Sequence, residues 1–142
     1  MATVFTRIIE GEIPGRFVWS DEHCVAFLAA DPLSTGHALV VPRAEVDHWL
    51  DLDADLAAHL MRVCRAIGRA QREAFRPERV GQMIQGFEVA HCHIHVWPVS
   101  SSADFDFANA DRDPEASVQD DAAARLREQL RGDGHGQSVP QD

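Results

Sequence analysis

Residues 91–98 read His-Cys-His-Ile-His-Val-Trp-Pro, with an imidazole at every second position of the first five. Period two is the spacing of a half-buried strand, so His91, His93 and His95 are expected on one face, neighbours roughly 6.6 Å apart. Cys92, Ile94 and Val96 then turn to the other face and can join a core. An exposed strand has no structural use for three imidazoles in strict alternation. A row of nitrogen bases that donate, accept or attack near neutral pH suits acid–base or nucleophilic chemistry, or a metal. A catalytic zinc site needs three ligands converging about 2.0–2.1 Å from one ion. Alternate residues of one flat strand splay apart instead, so a zinc reading would draw its third ligand from elsewhere, with His37 the candidate.

Those side chains need a scaffold, and the chain supplies one. Its 142 residues are 45% apolar, enough for a single core. Ala2 to Glu10 has a short helical pattern that stops at Gly11, Pro14 and Gly15. Phe17–Ser20 and Cys24–Leu28 flank the turn-like Ser20-Asp21-Glu22 and read as a hairpin. After the loop 31–36, His37 to Pro42 is a third strand. The strongest helix runs from about Leu52 to Phe75, with Leu56, Leu60, Val63, Ile67 and Ala70 at helical spacing and Pro77 closing it. Val80–Gln85 and Val89–Val99 are the fourth and fifth strands. Residues 100–111 read as a polar loop with two exposable aromatics, and Val118–Leu130 as an amphipathic helix. Gly132 to Asp142 has no helical or strand period and reads as a disordered tail. The class is α+β: a five-stranded antiparallel sheet backed by one long helix, with short amino-terminal and carboxy-terminal helices, one domain over 1–131.

Charge narrows the function. The net charge of −10 excludes the basic footprint of a nucleic-acid binder. No apolar run is long enough to span a membrane, and the start lacks a signal peptide's pattern. Cys24, Cys64 and Cys92 form no Cys-x-x-Cys pair, which suits reduced thiols and a cytoplasmic setting. A phosphate would have to be held by local donors such as backbone N–H groups and histidines.

Taken together, the motif and its surroundings resemble the histidine-triad (HIT) family. The signature His-φ-His-φ-His-φ-φ, with φ apolar, appears as His91-Cys92-His93-Ile94-His95-Val96-Trp97. Phe5-Thr6-Arg7-Ile8-Ile9-Glu10-Gly11-Glu12-Ile13-Pro14 is similar to the family's amino-terminal segment. Val25-Ala26-Phe27-Leu28, Pro32 and Gly36-His37-Ala38-Leu39-Val40-Val41-Pro42-Arg43 are similar to its central strands. The likeness covers roughly residues 4–100.

The resemblance implies binding of a purine nucleotide and cleavage of a bond to its α-phosphorus through a covalent nucleotidyl-histidine, with no metal or other cofactor. By position, His93 is the nucleophile and His95 contacts phosphate or leaving group. His91 and His37 complete the hydrogen-bonded chain that sets the tautomers. Phe5, Ile8, Phe27 and Leu39 match the base pocket, and Gln85 a phosphate-contacting amide. Ala29 stands where many members carry an acid or amide for the ribose, and Asp31 is the nearby substitute. Thr3, Thr6 and Glu45 occupy the positions of a structural zinc found in some members, so no thiolate site is expected. The loop 86–90 is short, and Val99 replaces an arginine. Phosphoramidates or nucleotidyl conjugates are therefore the first expectation and dinucleoside polyphosphates the alternative. A weakly catalytic nucleotide-binding module and a three-histidine zinc enzyme are the readings from other classes. The family also implies a homodimer.

Overall fold

A computed structural model describes residues 1–142. Five short strands lie side by side: β1 (Phe17–Ser20), β2 (Cys24–Leu28), β3 (Ala38–Pro42), β4 (Arg79–Met83) and β5 (Ile94–Val99). Their order is β1-β2-β3-β5-β4 and every pairing is antiparallel. Three α-helices accompany them: α1 (Val4–Ile9), α2 (Ala54–Phe75) and α3 (Ala116–Leu130).

Alternation along the strands sorts side chains to two faces. Val18, Cys24, Ala26, Leu28, Ala38, Val40, Ile94 and Val96 meet Leu60, Val63 and Ile67 of α2 and Ala122, Leu126 and Leu130 of α3 in the main core. Val25, Phe27, Ala29, Leu39 and Val41 form a smaller cluster on the opposite face with Phe5 of α1. The long helix therefore backs the sheet as its apolar stripe requires. The opposite face is covered only in part by α1, which leaves room for a cavity.

Two devices hold β3 and β5 in place beneath that cavity. Gln71, fully buried on α2, donates from Nε2 to the carbonyls of Gly36 (2.9 Å) and Val96 (2.8 Å). Gly36 has φ of 91°, and a Cβ there would lie 2.4 Å from the Phe75 ring, so only glycine fits between the loop and α2.

The fifth strand starts later than its sequence pattern suggests. Pairing with β3 ends at Val40↔Ile94, and β5 begins at Ile94 rather than Val89. The next residue able to pair, Pro42, has no N–H, and its carbonyl is taken by His91 Nε2 at 2.7 Å. Cys92 N–H turns instead to Val46 O at 2.7 Å. The fourth strand likewise spans Arg79–Met83, leaving Gln85 exposed in the following loop.

The expected disordered tail is folded. Residues 131–138 continue α3 as irregular helical turns, and Val139 returns to the main core, 9% exposed. Arg131 donates to Pro140 O at 2.8 Å, and the His135 ring sits 5.3 Å from that of Trp19. The segment lacks a repeating apolar pattern, but one valine and these contacts anchor it. Removing residues 137–142 should destabilise the protein by about 1.5 kcal/mol, the low end for a buried aliphatic side chain. Urea denaturation of the shortened chain checks this, and an unchanged midpoint would contradict the docking.

Candidate active site

The histidines meet where β3, β5 and the 29–37 loop converge. His37 is 1% exposed, His91 0%, His93 5% and His95 8%. Buried imidazoles need partners, and their partners determine where the protons sit.

The Leu33 N–H lies 2.9 Å from His37 Nδ1, so that nitrogen accepts. A neutral His37 must then carry its proton on Nε2, which lies 3.0 Å from His95 Nδ1 and donates to it. His95 in turn carries its proton on Nε2. His93 has the opposite arrangement. Its Nδ1 lies 2.8 Å from the carbonyl of His91, which can only accept, so Nδ1 carries the proton and Nε2 keeps its lone pair. The two cavity histidines thus expose opposite functions, a lone pair on His93 and an N–H on His95. Neither Nε2 has a protein partner and neither is sealed from the cavity, since the sole sealed, unpaired side-chain polar atom is Gln71 Oε1.

Burial supports these neutral forms. Desolvation, reinforced by the neighbouring His95, pushes His37 down to about 3. Desolvation and then His93 push His95 down to about 4. His93 is also lowered by desolvation, against the opposing pull of its bond to the His91 carbonyl.

His91 stands behind the pair. Its Nε2 donates to Pro42 O, and its Nδ1 lies 2.7 Å from Thr3 Oγ1, whose hydroxyl donates. Thr3 Oγ1 also caps α1 by accepting from Thr6 N–H at 3.1 Å. Glu45 receives the Thr3 N–H at 2.7 Å and the Thr6 hydroxyl at 2.5 Å. These bonds, that of Thr6 foremost, hold the Glu45 carboxyl below its usual range. Thr3, Thr6, Glu45 and His91 therefore come together as a hydrogen-bonded cluster. Thr3 and Thr6 spend their hydroxyl protons on His91 and Glu45, so the cluster offers a zinc ion only one imidazole and one carboxylate and no thiolate, short of a closed structural site. Converging His, Cys, Asp and Glu donor atoms occur instead at Asp21, Cys24 and His59, outside the histidine cavity.

A cavity of about 450 Å³ opens beside His37, His93 and His95. Phe5, Ile8, Phe27, Ala29, Asp31 and Leu39 line it, whereas Gln85 does not. The Phe5 ring lies edge-on 4.7 Å from His93 and 5.7 Å from Phe27, joining the apolar slot to the imidazoles. The far wall was not read from the sequence. Phe107, Arg112 and Gln119 contribute to it, and the Phe107 ring lies 5.1 Å from that of His95. Arg112 pairs with Asp31 at 3.1 Å, and Arg16 with Asp120 at 2.7 Å. Phe105 packs 4.9 Å from Trp97, so both aromatics of the supposed polar loop have ring partners.

A family model described as "HIT domain" matches residues 10–101. The chain belongs to the HIT family. It is 32% identical over 105 residues to "Protein hit" of Bacillus subtilis, covering 67% of this chain and 69% of that protein. An uncharacterized HIT-like protein of Borreliella burgdorferi is 30% identical over 116 residues, 77% of this chain and 84% of its own. Among solved structures, a zinc-bound histidine triad family protein from Mycobacterium smegmatis superposes with a TM-score of 0.81 at 26% identity, covering 96% of this chain and 98% of that one. A hypothetical histidine triad nucleotide-binding protein from Sulfolobus tokodaii gives 0.77 at 25% identity, with coverages of 90% and 91%. The five-stranded antiparallel α+β architecture is that of these HIT structures.

The tautomer scheme has a consequence for stability. Each histidine kept neutral by the fold binds a proton in the unfolded chain near pH 6.5 but resists it when native. Stability is therefore complete above that pH and falls as pH drops toward the lowered values near 4 and 3 of His95 and His37. Each group contributes a slope of up to about 1.4 kcal/mol per pH unit. Between pH 6.5 and 5, His37→Asn should flatten the dependence measured by urea unfolding. An identical slope in the variant would contradict the neutral relay.

Proposed function

We propose that the protein is a nucleotide hydrolase or transferase that cleaves a bond to the α-phosphorus of a nucleoside phosphoramidate or similar nucleotidyl conjugate. The single observation that carries this reading is the opposed tautomers of His93 and His95 beside one cavity. A lone pair that attacks and an N–H that meets developing charge are what displacement at phosphorus requires. The cavity volume falls within the range of small-molecule sites. Its Phe5, Phe27 and Leu39 suit a flat purine, and the Sulfolobus tokodaii neighbour is named as nucleotide-binding.

His93 Nε2 attacks the α-phosphorus, forming an N–P bond as the bond to the leaving atom breaks. The leaving atom takes a proton from solvent water. The His91 carbonyl, bonded to His93 Nδ1–H, stabilises the positive charge on the modified ring. His95 Nε2–H bonds the leaving atom or a phosphoryl oxygen as negative charge develops there. Water then attacks phosphorus, the N–P bond breaks, a proton is released, and His93 is regenerated. His37 is a positioning residue that acts through the tautomer of His95.

Phosphoramidates are favoured over dinucleoside polyphosphates because no free cation flanks the histidines. The two lining arginines are engaged by Asp31 and Asp120, and Glu88 lines the same cavity. We also infer a homodimer in a cytoplasmic setting. The β4 edge and the exposed Trp49, Leu50 and Met61 suit a second copy, and a light-scattering mass of one 15.7 kDa chain at micromolar concentration would refute it.

Incubation with a fluorogenic adenosine phosphoramidate in the presence of chelator tests the activity, with release of the amine expected. His93→Ala should abolish turnover and the nucleotidyl adduct seen by mass spectrometry while AMP binding survives. Near wild-type turnover in that variant would overturn the covalent route. His95→Ala should cost about 10²–10³-fold, the range for removing one hydrogen-bond donor aimed at developing charge. Basic amine leaving groups should suffer more than good ones, and an equal loss for both would contradict the role given to His95.

A further inference from the structure

We propose that Gln119 is the sugar-recognising residue of this protein, its Oε1 accepting a ribose hydroxyl in place of the acid or amide missing at Ala29. The assignment rests on the nucleotide reading above and adds a residue outside the matched segment 10–101.

Gln119 lies in the first turns of α3 and is only 3% exposed. It heads the buried stripe of that helix, followed by Ala122, Ala123, Leu126 and Leu130. A long amide at such a position must find partners for both of its ends. Its Nε2 donates to the carbonyl of Ala29 at 3.0 Å. Because a carbonyl only accepts, that bond fixes which way the amide faces and leaves Oε1 over. Oε1 has no partner in the protein, and it is not sealed like Gln71 Oε1.

The place of this free acceptor gives it a use. Gln119 and Ala29 both line the cavity that holds His37, His93 and His95, and Gln119 also borders a polar groove next to it. Ala29 offers the cavity no polar side-chain atom and occupies little space. Where Ala29, the residue after β2, presents no polar side chain, a buried amide on α3 is held to the backbone of that same residue. A nucleoside with its phosphate at His93 and its base against Phe5 and Phe27 would bring its sugar to the Ala29 end. Asp31 is the other acceptor nearby, but it is ion-paired to Arg112 at 3.1 Å and substantially exposed. Gln119 is the better-desolvated acceptor, and a hydrogen bond gains discrimination where water is excluded.

Calorimetric titration with AMP, 2′-deoxy-AMP and 3′-deoxy-AMP tests the assignment. The wild-type protein should bind at least one deoxy analogue about tenfold more weakly than AMP, the equivalent of one hydrogen bond of about 1.4 kcal/mol. Gln119→Met keeps the volume and removes the acceptor, so it should equalise the three ligands, while Asp31→Ala, which removes the competing acceptor, should preserve the difference. A purely structural role for Gln119 would weaken all three ligands equally and leave the ratio intact, which would overturn the proposal. So would loss of the ratio in Asp31→Ala with Gln119→Met unaffected. Equal binding of all three ligands by wild type would refute sugar recognition and leave the nucleotide reading standing, whereas no binding of any nucleotide would overturn both. If Gln119→Met fails to fold, a crystal structure of wild type with AMP decides: Oε1 within about 3.2 Å of a ribose oxygen supports the assignment, and a larger separation overturns it.

Discussion

The site depends on one constraint: the tautomers of its cavity imidazoles trace back to backbone groups that have no choice of role. The Leu33 N–H can only donate, and it fixes His37 as an acceptor at Nδ1. The His91 carbonyl can only accept, and it fixes His93 as a donor at Nδ1. From these two bonds follow the N–H on His95 Nε2 and the lone pair on His93 Nε2. A side chain at either place could rotate or ionise, whereas a peptide group does neither. The opposition of the two rings is thus as rigid as the chain that presents it.

That rigidity explains features of the scaffold distant from the cavity. The loop that carries Leu33 is tied down by Ser34 Oγ donating to Pro98 O at 2.6 Å, and its end is gripped by Gln71 through the Gly36 carbonyl. Gly36 has no side chain because the Phe75 ring fills that space. Helix α2 therefore both covers the core and holds the far end of the histidine relay. Gln71 achieves this with Oε1 buried and unpaired, an unfavourable arrangement offset by two bonds from its nitrogen, one to the loop before β3 and one to β5.

Much of this was legible in the sequence, because periodicity and punctuation are local signals. The strands β1 to β3, the span of α2 and the His91-His93-His95 row follow from apolar spacing and from Gly and Pro positions. The onset of β5 was not legible, since it depends on the Pro42 carbonyl being taken by a histidine 49 residues away. Val139 in the core was hidden for a related reason, as a single apolar residue among glycines has no period to detect. The wall made by Phe107, Arg112 and Gln119 is likewise non-local: residue 119 meets residue 29 across 90 positions. The one signal that could have found it was the polar residue at the head of an otherwise apolar stripe on α3. Gln85 failed for the opposite reason. Its position suggested a role, but β4 ends two residues earlier and leaves it in solvent.

Electrostatics then favour one kind of ligand chemistry. At neutral pH, His37 and His95 are uncharged because burial disfavours their imidazolium forms. The two lining arginines are matched by lining Asp31 and Glu88, within a chain of net charge −10. The cavity thus presents no positive field to draw in a polyanion, and a phosphate there must be held by directed N–H groups. Directed donors discriminate by geometry more than by total charge, and they keep their value as salt rises because they act at contact distance. On the proposed reading, a ligand with one phosphate, a flat apolar base and a sugar suits the imidazoles, the aromatic slot and the neutral amide of this cavity. Each further phosphate would find the two lining arginines already ion-paired.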